Sequence, residues 1–263
     1  MSQHSLQVPL LPVIRATLFT LMVAAVLAGC AMPGDRVPDN DAAAYREVAD
    51  AVARNDCAAA RRAVEAMKSR HPDSRRLPDA YLESGYVCLG TGDLEAAEVL
   101  VEDFLERFPS HPSEDYGHYL SALAAYARWR ALPPEAPGAH SADQAREAFG
   151  RFRLLLTAHP DTAYGSDVRP LLMELREGLA RVELTAIRND LDARRHDAVV
   201  PRARYLLTHY GNTESAPYAM AALVSAHRAL GESAQARRLL QQLESDWPDH
   251  PVLDTLGPEP RDG

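Results

Sequence analysis

Five apolar helical stretches of this chain close on the same punctuation: Ser69-Arg70-His71-Pro72, Glu106-Arg107-Phe108-Pro109, Thr157-Ala158-His159-Pro160, Thr208-His209-Tyr210-Gly211 and Ser245-Asp246-Trp247-Pro248. Proline cannot continue a helix, and glycine reaches the left-handed backbone that caps one, so each is a helix stop. The stops recur at intervals of 37, 51, 51 and 37 residues, which makes the chain a series of similar units. Counting 12 residues back from Pro72, Pro109, Pro160 and Pro248 lands on Ala60, Ala97, Ala148 and Ala236. A small residue at one fixed register marks where two helices approach closely.

The second unit fills in the pattern. Tyr81 and Gly85 fall in the preceding helix and Gly90-Thr91-Gly92-Asp93 at the turn; Leu230-Gly231-Glu232-Ser233 is the matching turn of the last unit. Helix, glycine turn, helix and a fixed alanine resemble the tetratricopeptide hairpin, with the longer intervals enlarged by insertions. Leu94, Ala97, Val101, Phe104, Leu105 and Phe108 recur at three and four residues and line one helix face. Ser141-Ala142-Asp143-Gln144 has the form of a capping box opening a helix. One long helix is expected from Ser166 to about Ala193, with Pro170 in its first turn. Leu132–His140, with three prolines, reads as an internal loop. No stretch alternates with β-branched residues, so the expected fold is all-α, a superhelix of about five tetratricopeptide-like hairpins over residues 41–256. Such a stack presents a long concave face to a peptide or a protein domain.

Ahead of this lies a different signal. Arg15, the apolar run Ala16–Leu27, then Ala28-Gly29-Cys30 form a secretory signal peptide over residues 1–29 whose cleavage leaves Cys30 first. A thiol at that position is where diacylglycerol is attached, and several fatty chains on one residue hold a bilayer firmly where one holds it marginally. The apolar run is too short for a spanning helix. Residues 30–40 then read as a lipidated flexible tether and 257–263 as a polar tail. The other cysteines, Cys57 and Cys88, leave two readings open: a disulfide, favoured by an oxidising periplasm, or two small buried hydrophobes.

Without the signal the chain carries 27 bases against 37 acids, a net charge of -10, and Lys68 is the sole lysine. That excludes nucleic acid, whose phosphates need clustered cations. No nucleophile elbow, phosphate-cradling loop or zinc-protease helix is present, so no catalytic residue and no cofactor is assigned. His71, His111, His159 and His250 sit at or near helix ends, where they cap carbonyls or meet solvent; no metal is assigned to them. Glu98, Glu102 and Glu106 form a stripe with two readings, a solvated face or a surface for a basic partner.

Pro109-Ser110-His111-Pro112-Ser113-Glu114-Asp115-Tyr116, with Tyr119 and Leu123 after it, resembles the F-P-T-H-P-x-x-D-Y-x-x-Y stretch of the BamD family, tetratricopeptide lipoproteins of the outer-membrane β-barrel assembly machinery. Ala145-Arg146-Glu147-Ala148-Phe149 is similar to that family's A-R-x-A-F helix, His159-Pro160-Asp161-Thr162-Ala163-Tyr164 to its Y-P-x-S-x-Y turn, and Val37-Pro38-Asp39-Asn40 to its tether. Departures are His71-Pro72-Asp73-Ser74 in place of Y-P-F-G, Pro201 in place of the asparagine of V-x-N-R, and Gly211 in place of a later proline. The resemblance implies a non-catalytic scaffold, lipid-anchored at Cys30 on the periplasmic face of the outer membrane. Its implied partners are a BamA-like barrel protein, unfolded outer-membrane protein substrates and other assembly lipoproteins. Arg202 matches an arginine that would form salt bridges with the barrel protein, and its charge reversal is expected to weaken docking with helix content intact. Tyr81, Tyr116 and Tyr119 would present ring edges to an extended peptide, or sit between helices; Asp115 would contact substrate or cap its helix. Rival readings are a repeat lipoprotein tied to cell-wall or pilus assembly, and a periplasmic enzyme with an unrecognised site.

Overall fold

The computed structural model describes residues 41–133 and 138–257, which hold ten α-helices and a closing 3-10 turn, with no strand among them. The expected signal, Cys30, the tether, part of the Leu132–His140 loop and residues 258–263 of the tail lie outside the described residues. Contacts divide the chain at Asp93 and Leu94 into two compact units.

The first unit holds α1 (Asp41–Ala53), α2 (Cys57–Arg70) and α3 (Leu77–Thr91), each packed on the other two. The Asp56 side chain accepts from the Ala59 amide at 2.9 Å and so starts α2. Pro78 occupies the first turn of α3, where the amide it lacks has no helical partner, and Gly92 ends the helix at φ 84°. Val48, Ala60, Val64, Met67, Leu77 and Tyr81 form the centre of this unit, each without exposed surface. Cys57 and Cys88 are joined as a disulfide, their Cα atoms 4.7 Å apart, which ties the first residue of α2 to α3.

In the second unit α4 (Leu94–Arg107), α5 (Glu114–Arg130), α6 (Ala139–Ala158), α7 (Gly165–Asp192), α8 (His196–Tyr210), α9 (Ala216–Ala229) and α10 (Ser233–Asp246) each pack on the next. The 3-10 turn Pro251–Leu256 then returns onto α9. One apolar cluster runs through Ala125, Trp129, Ala148, Phe152, Leu155 and Leu175; another joins α7, α8 and α9 through Ile187, Val199, Ala203, Leu206 and Leu223. All four register alanines are buried, Ala60, Ala97, Ala148 and Ala236 at 3% exposure or less. Two glycines let aromatic rings lie against helix backbone: Gly117 faces Phe104 and Gly178 faces Trp129.

Two expectations about helix starts are corrected. Ser141 does not cap α6, which begins at Ala139 with Gly138 extended before it, so the box lies inside the helix. Pro170 is the sixth residue of α7, beyond its first turn, and the amide it lacks leaves the Ser166 carbonyl without its helical donor.

Candidate functional site

The Asp-Tyr stretch at the start of α5 meets the turn between α6 and α7. The Thr162 hydroxyl donates to Asp115 Oδ2 at 2.8 Å and the Tyr116 amide donates to Oδ1 at 2.8 Å. Asp115 is therefore a clasp between α5 and that turn, since Ser113 holds the cap position. Tyr164 stacks on Tyr119 with ring centroids 4.5 Å apart and 9° between planes, and on Tyr116 at 5.6 Å. Burial and the Asp115 carboxylate push the Tyr164 hydroxyl above its ordinary pKa. Tyr116 and Tyr119 remain half-buried. Tyr81 belongs to neither this group nor any surface: it has no exposed area and fills the core of the first unit, so the expectation that it offers an edge to a peptide is corrected.

Arg202 lies on α8 and engages Asp190 near the end of α7, Nε to Oδ2 at 2.9 Å. Arg195 holds the other carboxylate oxygen at 2.7 Å. Asp190 is buried while about half of the Arg202 side chain stays open to solvent, so its charge is anchored by its own chain and still reachable. Two acids of the stripe are engaged in a similar way. Glu98 pairs with Arg128 of α5 and with Arg151 of α6, the latter at 3.1 Å, and Glu102 lies 3.8 Å from Arg151. These acids are charge partners within the second unit.

Between α6, α7 and α8 lies a groove of about 610 Å³, lined by Arg146, Arg153 and Arg176 together with Phe149, Leu154, Leu179 and Tyr210. Arg176 donates to the His209 carbonyl and to Asn212 Oδ1, both at 2.8 Å, which fixes its guanidinium at the groove. Leu154 is 53% exposed. A Cβ at Gly150 would meet no atom within 4 Å, so the missing side chain leaves this wall open. Three guanidinium groups around apolar side chains suit a chain segment that offers carboxylate or carbonyl oxygens beside apolar residues. Charge counting missed this site because the arginines are interspersed with acids along the sequence. The available signal is the spacing Arg146, Gly150, Arg153, which puts all three on one face of α6.

The histidines divide. His111 and His250 accept backbone amides of Ser113 and Val252 through Nδ1, both at 3.1 Å, so they cap donors and not carbonyls as expected. His159 faces His118, ring centroids 5.6 Å apart, and Glu114 lies within reach of both. Burial, and next the neighbouring His159, lower the His118 pKa below its ordinary value.

The family model for YfiO, outer membrane lipoprotein, matches residues 38–243. The chain belongs to the YfiO family. Similar proteins named outer membrane protein assembly factor BamD include that of Neisseria meningitidis serogroup A, 25% identical over 252 residues that cover 91% of this chain and 94% of the relative. That of Vibrio cholerae is 25% identical, covering 87% and 97%, and that of Xylella fastidiosa strain 9a5c is 25% identical, covering 73% and 67%. The YfiO match spans both compact units and contains the groove, the Asp-Tyr stretch and Arg202. Among the described residues no helix is long and apolar enough to cross a membrane.

Proposed function

We propose that this chain is a non-catalytic scaffold lipoprotein of the outer-membrane β-barrel assembly machinery. Cys30 carries the lipid that holds it to the periplasmic face of the outer membrane; the helical hairpins dock a BamA-like barrel protein and receive unfolded outer-membrane protein segments. The observation that carries this reading is the match, over nearly their whole length, to relatives named outer membrane protein assembly factor. The arginine-lined groove beside α6 supports it, because an unfolded chain exposes the carbonyl oxygens and apolar side chains that such a lining accommodates. Half-open Arg202, held in one orientation by Asp190, is suited to an ion pair with a docked protein.

Photo-crosslinking from position 154, followed by gentle detergent extraction, tests this. A barrel protein of the BamA type is expected to co-purify, and nascent outer-membrane proteins are expected among the crosslinks, lost in the Arg146→Glu, Arg153→Glu double variant. Recovery of cell-wall enzymes alone would overturn the reading. A Cys30→Ala chain is expected to leave the membrane fraction or keep its signal.

A further inference from the structure

We infer that Glu114, His118 and His159 form a binding site for one divalent transition-metal ion of the zinc type. One ligand atom from each lies within 4.8 Å of the other two. A tetrahedral zinc ion with bonds of about 2.0–2.2 Å needs its ligand atoms roughly 3.3–3.6 Å apart, so the side chains would turn to draw these atoms together by about 1 Å. Glu114 and His118 are one turn apart on α5, His118 Nε2 standing 3.8 Å from Glu114 Oε1. His159 comes from the end of α6, just before Pro160.

Three further observations point to a ligand. The Nε2 atom of His159 is buried and has no hydrogen-bond partner, a state that a metal bond would relieve. The second oxygen of Glu114 accepts the Ser110 amide at 3.2 Å, which orients the carboxylate from behind, as outer-shell groups do in metal sites. The two ligand-bearing elements are also clamped to each other independently of any ion, through the Thr162 to Asp115 hydrogen bond and the stack of Tyr164 on Tyr119. The backbone segments that carry the ligands are thus held together before any ion binds. Its donors select the ion. Two imidazoles and one carboxylate favour a borderline cation over calcium or magnesium, which take oxygen, and leave a fourth position for water. Bound zinc would pin α5 to the α6–α7 turn beside the tyrosine stack.

The test uses the full-length chain in detergent, stripped with a chelator and titrated with zinc chloride by calorimetry. One equivalent is expected to bind and to raise the Tm. His118→Ala and His159→Asn are each expected to lose affinity by at least about tenfold and to lose the zinc-dependent rise in Tm, with the metal-free circular dichroism of wild type. In the wild-type chain, imidazole NMR signals of His118 and His159 are expected to shift first as zinc is added, a readout that does not depend on a variant folding. Equal binding by both variants, shifts confined to other histidines, or no saturable binding would each overturn the proposal.

Discussion

Arg202 shows how one side chain can serve stability and recognition together. Its partner Asp190 has a side chain only 8% exposed and lies between two guanidinium groups, which supply the opposite charge that a buried carboxylate calls for. Reversal to glutamate sets a second carboxylate against a buried one; the expected cost is about 1–3 kcal/mol, between the ranges for exposed and buried pairs. Arg202→Gln keeps Asp190 paired through Arg195 and is expected to change stability by less than about 1 kcal/mol. Urea unfolding of both variants checks this, and equal midpoints would show that Asp190 does not depend on Arg202. Docking loss is therefore best read in the glutamine variant. The matching arginine was legible in the sequence through its motif; its partner was not, because Asp190 is 12 residues away and is brought back only when α8 folds against α7.

Helix ends and register alanines were the most legible elements, for a local reason. A proline or glycine stop acts within one turn, and α2, α4, α6, α8 and α10 end at or within one residue of the positions the stops indicate. What depends on two helices meeting was less visible. Gly178 lies in the interior of a long helix, where glycine costs about 1 kcal/mol relative to alanine. Its role emerges only in the packing: an added Cβ would collide with Cζ2 of Trp129 on α5. The Trp129 ring is 7% exposed and surrounded by core, so it has little room to withdraw. Gly178→Ala is expected to lower stability by about 1–3 kcal/mol despite the gain in helix propensity. Combining it with Trp129→Phe should recover part of that loss, because the smaller ring vacates the contested space. Thermal melts in a double-mutant cycle measure the coupling, and strict additivity would mean that the two residues do not compete.

At the scale of the whole molecule, the two compact units are stabilised differently. The first, with three described helices around an apolar centre, contains the disulfide as well; the second, with seven, is held by apolar clusters and ion-pair networks and contains no cysteine. Sequence alone left the cysteines open because pairing depends on how α2 and α3 approach, and 31 residues of separation carry no information about that distance. A cross-link spanning a loop of that length stabilises by about 3–4 kcal/mol, chiefly by restricting the unfolded chain. A helical body this small buries a modest core and has few such contributions to spare. Reduction, or the Cys57→Ala, Cys88→Ala pair, is therefore expected to weaken the first unit selectively. Hydrogen exchange under reducing conditions should show protection falling across 41–93 while amides of 94–257 keep theirs. Equal loss in both would mean that the chain opens as one cooperative body, and the compactness of each unit would then have no thermodynamic counterpart. For a chain proposed to work in the periplasm, selective loss would place the stability of its first three helices under control of the oxidising environment that forms the bond.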